Sequence, residues 1–327
     1  MSPSTTSPED VYMPGLPAQK ANQPVEVTPS ADEIARGCLN DANIKLFLSG
    51  MHRDGIVVLK DVIDPSHLDA INQFMVDDTV TELRKEGLHT NFGVENLQQG
   101  PPLTPELFYD DVYLNGILHH AVNLYLGPHA KWNLCSGNNA LPRATERQPP
   151  HSDAMMAHPP CPFYAVANIF TVDTSAANGA TEIWLGTHHY DRSVQTAPTA
   201  PDGKERGGST HIRPEIVAAR SPKGFQPTVR RGSIVFRDLR LWHAGMPNRS
   251  EDTRYMIAMG FAAGWWHGTA RFRVPTGTGM LQRILHGMKY SGITPTMEEV
   301  EPEVYAQLRN AHDFDDSEKQ VWDGEVF

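Results

Sequence analysis

Apolar positions change their spacing part-way along the chain. Up to about residue 83 they recur every three or four residues, whereas from Lys131 to Ala263 they come in short runs broken by Gly, Pro, Asn and Asp. Ala31–Met51 reads as a helix, with Asp32 and Glu33 in the first turn, where the helix dipole favours negative charge, and Gly50 near the end. Asp54–Leu59 follows as a buried strand, a β-branched run behind Gly55. Asp64–Pro65–Ser66 then opens a second helix, whose Leu68, Ile71, Phe74 and Met75 form an apolar face expected to pack on a sheet edge.

Strands are expected over Tyr164–Val172, Ala180–Leu185, Thr228–Phe236 and Arg254–Phe261. Many short strands with turn punctuation predict an antiparallel sandwich or barrel. Ala197–Gly208, rich in Pro, Gly and charge, reads as a long surface loop between strands, either a plain connection or a lid. The pattern divides the chain into a disordered or extended arm (1–30), one main domain (31–293) and an acidic extension (294–327), helical or frayed.

Composition narrows the class. With 39% apolar residues in 327, the chain has enough material for a large core. The longest apolar runs, such as Ile56–Leu59 and Tyr255–Ala263, fall far below the ~20 residues that span a bilayer. The arm has six prolines and no basic start followed by an apolar stretch, so it does not read as a signal peptide. Cys38, Cys135 and Cys161 are too few and too scattered for a disulfide framework or a Cys-based zinc site, and a reducing, cytoplasmic compartment is expected. Of the net charge of −11, residues 1–33 carry −4 and 297–327 carry −8, which leaves a body of +1. Such a balance gives no footprint for duplex nucleic acid or an anionic membrane, and the expected partner is a small molecule.

His151–Ser152–Asp153 is the most informative tripeptide. On a strand, residues two apart share a face, so imidazole and carboxylate would converge on one ion. A third donor, His243, would complete a two-His, one-carboxylate set that leaves the other face of an octahedral ion open, an arrangement suited to Fe(II) and oxygen. Arg254 follows eleven residues later across a turn, and its fork matches a carboxylate; the alternative is an ion pair with Asp252 or Glu251. His119, His120, His188, His189 and His211 read as non-ligands. Met155, Met156 and His158 would face the mouth of the site or serve as core or loop, and Asn133 is a candidate polar cavity contact. Trp242, with Trp265, Trp266 and Phe272, would line a cavity or fill core. Arg230, Arg231, Arg237 and Arg240 read as solvated surface rather than as a phosphate-docking patch.

His151–Asp153, Asn178–His188 with its Asn-Gly-Ala-Thr start, and Gly232–Arg254 resemble the phytanoyl-CoA dioxygenase family of Fe(II)/2-oxoglutarate oxygenases. Arg53–Lys60 with Asp64–Pro65 is similar to that family's N-terminal strand and helix. The likeness covers about residues 50–265, and Ser233 departs from it where the family often has Asp. It implies a mainly β catalytic domain with flanking helices and a double-stranded β-helix (jelly-roll, cupin-like) core. It further implies Fe(II) on His151, Asp153 and His243, and 2-oxoglutarate held by Arg254, Gln148 and Thr181, with O2 as the second co-substrate. The arm and the Asn-Gly-Ala-Thr motif look like fungal biosynthetic members. The expected reaction is then oxidation of an unactivated C–H bond, by hydroxylation, desaturation or a related outcome, in a small hydrophobic natural product, with succinate and CO2 released. Members of this type suggest a homodimer. Two other readings stay open: a cupin-like hydrolase or ligand sensor using the same triad, and an acyl-CoA hydroxylase.

Overall fold

The computed structural model describes residues 23–84, 90, 95–196, 210–267 and 270–308. Its helices are α1 (Ala31–Arg36), α2 (Asp41–Asp54), α3 (Pro65–Glu82), α4 (Asp110–Tyr113), α5 (Gly116–Leu126), α6 (Pro214–Ala219), α7 (Met280–Gly287) and α8 (Pro302–Leu308). The first seven strands are β1 (Val25–Val27), β2 (Ile56–Leu59), β3 (Asn96–Gln98), β4 (Ala130–Ala140), β5 (Tyr164–Phe170), β6 (Glu182–Ile183) and β7 (Gln195–Thr196). The rest are β8 (His211–Ile212), β9 (Ile234–Asp238), β10 (His243–Ala244), β11 (Met256–Ala262), β12 (Phe272–Pro275), β13 (Ile293–Pro295) and β14 (Met297–Val300).

The N-terminal region follows its local signals, with one break. Asp64 caps α3 by accepting from the Ser66 N–H, Pro65 takes the first helical turn, and Leu68, Ile71 and Met75 are buried. The stretch expected as one helix over Ala31–Met51 is two. Ser30 and Glu33 form a reciprocal capping box at the start of α1, which closes at Gly37. Asn40 then caps α2 by accepting from the Asn43 N–H at 3.0 Å. A polar side chain that satisfies an orphan N–H is a start signal, and here it overrides the continuous periodicity.

An eight-stranded mixed sheet runs in the order β1-β2-β9-β5-β11-β4-β13, with β3 also on β4. Its centre is antiparallel, while β1 joins β2 and β13 joins β4 in parallel. Strand alternation sorts the two faces. Phe236 of β9, Ala167 of β5 and Met259 of β11 join Phe47, Ile71 and Leu118 from α2, α3 and α5 in the main core. The alternate residues, Val235, Phe170 and Met256, belong to a second cluster on the opposite face. Complete burial of a side chain such as Phe47 or Phe236 stabilises by ~1.5–3 kcal/mol. Helices therefore cover one face of the sheet, and the other is left for a site.

Two-stranded ribbons, β6 with β10, β7 with β8 and β12 with β14, complete the ladders. The fold is sheet-rich with helices, and among the described residues the ladders do not close into a barrel. Other boundaries move as well. The strand expected over Thr228–Phe236 begins only at Ile234, because a turn closed by Ser233 N–H to Arg230 O precedes it. The expected strand Ala180–Leu185 shrinks to Glu182–Ile183, and Tyr164–Val172 ends at Phe170. Residues 294–300, assigned by sequence to the acidic extension, supply parts of β13 and β14. The expected lid, Ala197–Gly208, lies outside the described residues.

Candidate functional site

His151 and Asp153 converge, but not by strand alternation. His151 forms an isolated two-way bridge with His243, each N–H meeting the other's carbonyl at 2.9 Å. After it the chain turns, held by Ser152 Oγ to Leu239 O and by Met155 N–H to Asp153 O. The β6–β10 ribbon carries His243 on the other side of the bridge. The imidazoles lie 4.3 Å apart between centroids. His151 Nε2 is 3.7 Å and His243 Nε2 3.5 Å from Asp153 Oδ1. Each ring's Nδ1 meets a main-chain carbonyl, Pro149 O at 2.8 Å and Leu241 O at 3.0 Å. A carbonyl only accepts, so Nδ1 carries the proton and Nε2 presents its lone pair toward the carboxylate.

Electrostatics keeps this set in its metal-binding form. Burial pushes the His243 imidazole down to about 3 and also lowers His151, so both rings are neutral. Burial alone would raise the Asp153 carboxyl, but the charge and hydrogen bond of Arg237 oppose it and hold the group below the usual carboxylate range. Among the described residues, His151, Asp153 and His243 are the group able to hold a metal ion, with one donor atom from each within 4.8 Å of the others.

Arg254 stands where β11 begins, tied to Ala140 by a two-way bridge. Its guanidinium lies 5.3 Å over the Phe170 ring and is 3% exposed, and its Nε and Nη1 have no hydrogen-bond partner. The ion pair considered from sequence does not form, since Glu251 is taken by Arg143. Burial pushes the Arg254 guanidinium down to about 10. A buried cation without a counter-charge is costly, and an anion entering the same cavity relieves it. The donor set and this orphaned guanidinium line one cavity of about 140 Å³. Together they fit a divalent ion and a dicarboxylic co-substrate.

Gln148 and Thr181 line that cavity too. Gln148 is fixed to Gly245 from both ends: its N–H donates to Gly245 O, and its Oε1 accepts from Gly245 N–H at 2.7 Å. Thr181 is placed by the turn before it. Asn178 Oδ1 accepts from Ser175 N–H, Asn178 Nδ2 donates to Asp173 O, and Gly179 takes a φ of 77°. A Cβ on Gly179 would lie 2.7 Å from Met246 O, so the motif needs glycine for approach as well as for conformation.

The family model described as Phytanoyl-CoA dioxygenase matches residues 51–256. The chain belongs to the phytanoyl-CoA dioxygenase family. It is thereby of the Fe(II)/2-oxoglutarate-dependent oxygenase class. Among solved structures it is similar to the non-heme α-ketoglutarate dependent epimerase SnoN from nogalamycin biosynthesis, at 14% identity over 68% of this chain and 84% of that one, with a TM-score of 0.48. SnoN has also been solved in complex with Fe3+, α-ketoglutarate and nogalamycin RO. EvdMO1 matches at 18% identity over 67% of this chain and 50% of that one, with a TM-score of 0.50, a likeness of fold.

Within this phytanoyl-CoA dioxygenase fold the remaining sequence candidates separate. Met155 lines the cavity; Met156, His158, Asn133 and Trp242 are not among its lining residues. Asn133 is the extra residue where the β4–β11 register shifts, and its Oδ1 accepts from Tyr164 OH at 2.6 Å. Trp242 packs with Trp184, Ile212 and Ala244 in a separate cluster. His158 stacks on Phe163, and Met156 joins the main core. The arginines read as surface divide likewise. Arg230 is exposed and Arg231 half-exposed on Asp69, whereas Arg237 reaches Asp153 Oδ2 at 2.6 Å and Arg240 grips Asp238 with two bonds. Sequence reasoning missed Arg237, Asn138 and Asn168, all lining the cavity. The usable signal was a pair of charges, Arg237 and Asp238, closing an otherwise apolar buried strand, Ile234–Val235–Phe236.

Proposed function

We propose that this chain oxidises an unactivated C–H bond of a small natural product, with iron held by His151, Asp153 and His243 and 2-oxoglutarate held by Arg254, Gln148 and Thr181. The observation that carries the reading is the buried, partnerless Arg254 guanidinium in the same cavity as the three donors. When bound, Fe(II) and 2-oxoglutarate supply an oxidant for the C–H bond from O2, releasing succinate and CO2. The chain's own residues do the positioning. The carbonyls of Pro149 and Leu241 fix both imidazole tautomers, so the Nε2 lone pairs are aimed without reorganisation. Arg254 binds the distal carboxylate as a two-pronged donor and thereby sets which end of the dicarboxylate faces the metal. Gln148, braced on Gly245, adds a fixed amide beside it.

Leu134, Met155, Val166 and Met256 share the lining with the amides of Asn96 and Asn138, which suits a substrate with an apolar body and oxygen functions. The acyl-CoA alternative loses support, because Arg237 and Arg240 are buried on internal carboxylates and are not available to phosphates. We further read the large sheet and the β6–β10 ribbon as the two layers of a double-stranded β-helix.

The test is 2-oxoglutarate-dependent succinate release by the Fe(II)-loaded protein, screened across candidate substrates, with Asp153→Ala as control. Loss of succinate and of bound iron in the variant is expected. Full turnover with iron retained removes Asp153 from the ligand set.

A further inference from the structure

We propose that Arg237 is a positioning residue that keeps Asp153 a one-oxygen donor and so preserves the open metal positions the co-substrate needs. The inference rests on the metal assignment proposed above. The two carboxylate oxygens of Asp153 are divided between different partners. Oδ1 faces the two imidazoles at 3.5 and 3.7 Å, while Oδ2 accepts from Arg237 Nη2 at 2.6 Å. Both side chains are largely buried, Arg237 at 9% and Asp153 at 14% exposure, so the pair is poorly screened by water.

The guanidinium is itself held. Arg237 lies opposite Val166 in the β9–β5 register, and its Nε donates to Oδ1 of Asn168, one same-face position along β5, at 3.1 Å. Strand parity, a neighbouring amide and the pair with Asp153 thus fix the group on three sides. Arg254 supplies the cation for the co-substrate, so the charge of Arg237 acts on Asp153; Arg237 lines the same cavity, and its Nη1 is without a hydrogen-bond partner.

A carboxylate binds a metal through one oxygen or through both. Two imidazoles and one carboxylate oxygen on one face leave three positions on an octahedral ion. With Oδ2 released, Asp153 can chelate through both oxygens and fill one of the three. The co-substrate, which needs two of them, then competes with the protein's own ligand. Removal of positive charge alone acts differently: it weakens binding of a dianion but leaves the number of open positions unchanged.

The experiment uses the full chain loaded with Mn(II) as the probe, comparing wild type, Arg237→Met and Arg237→Lys. Water-proton relaxivity counts the exchangeable waters per bound ion, and titration with 2-oxoglutarate is followed under nitrogen. For Arg237→Met, which has no donor for Oδ2, we expect Mn(II) binding at least as tight as wild type, relaxivity lower by about a third, and 2-oxoglutarate affinity lower by about tenfold or more. Arg237→Lys, which retains a donor for Oδ2, is expected to recover most of the relaxivity. Should Arg237→Met fail to fold, as judged by its thermal melt, Asn168→Leu removes the Nε anchor, and a smaller drop in the same direction is expected. Wild-type relaxivity in the folded Met or Leu variant overturns the proposal, whether or not 2-oxoglutarate affinity falls. A wild-type protein that binds no Mn(II) overturns instead the metal assignment beneath it.

Discussion

Replacement of Arg254 by Met should move stability and ligand affinity in opposite directions. Without ligand, the guanidinium is buried with two nitrogens unpartnered. The fall from its ordinary 12.5 to about 10 corresponds to a penalty on the charged form of roughly 3 kcal/mol. Methionine keeps most of the stem volume and removes that penalty, at the loss of the contact over Phe170, ~0.5–2 kcal/mol. The ligand-free variant should therefore gain about 1–2 kcal/mol in urea unfolding. With 2-oxoglutarate the sign reverses. Loss of a buried, hydrogen-bonded charge pair costs ~2–5 kcal/mol, or roughly 30- to 5000-fold in affinity. Anaerobic titration of the Fe(II) protein, followed by its visible charge-transfer band, measures that term. Wild-type affinity in Arg254→Met refutes the clamp. Reduced ligand-free stability with unchanged affinity assigns the guanidinium to the core instead.

Two further changes test the supports of the site and the buried titratable groups. In Gly245→Ala the new Cβ would lie 2.6 Å from Gln148 Oε1, so the flexible amide must swing away and give up its bond to the Gly245 N–H. A loss of about 1 kcal/mol in stability and a several-fold weaker 2-oxoglutarate complex are expected, with metal affinity unchanged in an equilibrium titration. His119 is buried with Nε2 unpartnered, and burial pushes it from 6.5 down to about 4. Below pH 6.5 the unfolded chain takes up this proton while the folded one does not, so stability falls from there until the folded group titrates near pH 4, by up to roughly 3 kcal/mol. His119→Leu should flatten that part of the stability profile; an unchanged slope between pH 4 and 6.5 refutes it.

Local signals carried the fold where they were chemically explicit. Asp64–Pro65 marked the start of α3, and the apolar spacing behind it marked the buried face. Periodicity failed where a cap competes with it, as at Asn40, whose side chain starts a new helix within an unbroken apolar pattern. It also failed at Thr228–Ser233, where Val229 makes only an isolated bridge to Thr174 and the turn Arg230–Ser233 separates it from β9, whose pairing with β5 begins at Ile234. Residues 293–300 escaped detection for a related reason: their strands gain order from β4 and β12, partners remote in sequence.

The site was legible in its chemistry and less so in its geometry. His151 and Asp153 were found from a two-residue spacing, yet it is the bridge to His243 and the turn after it that bring them together, and neither is a strand of its own. Arg237 shows why charge counting misled. It was grouped with Arg230, Arg231 and Arg240 because they are near one another in sequence, but Arg230 and Arg231 belong to the turn before β9, Arg230 exposed and Arg231 half-exposed on Asp69. Arg237 falls inside a strand covered on both faces, and its counter-charge, Asp153, lies 84 residues away. A full charge buried in such a strand is costly unless it is paired. The acid next to it in sequence, Asp238, is taken by Arg240 and Tyr125, so the partner of Arg237 comes from the distant segment His151–Ser152–Asp153.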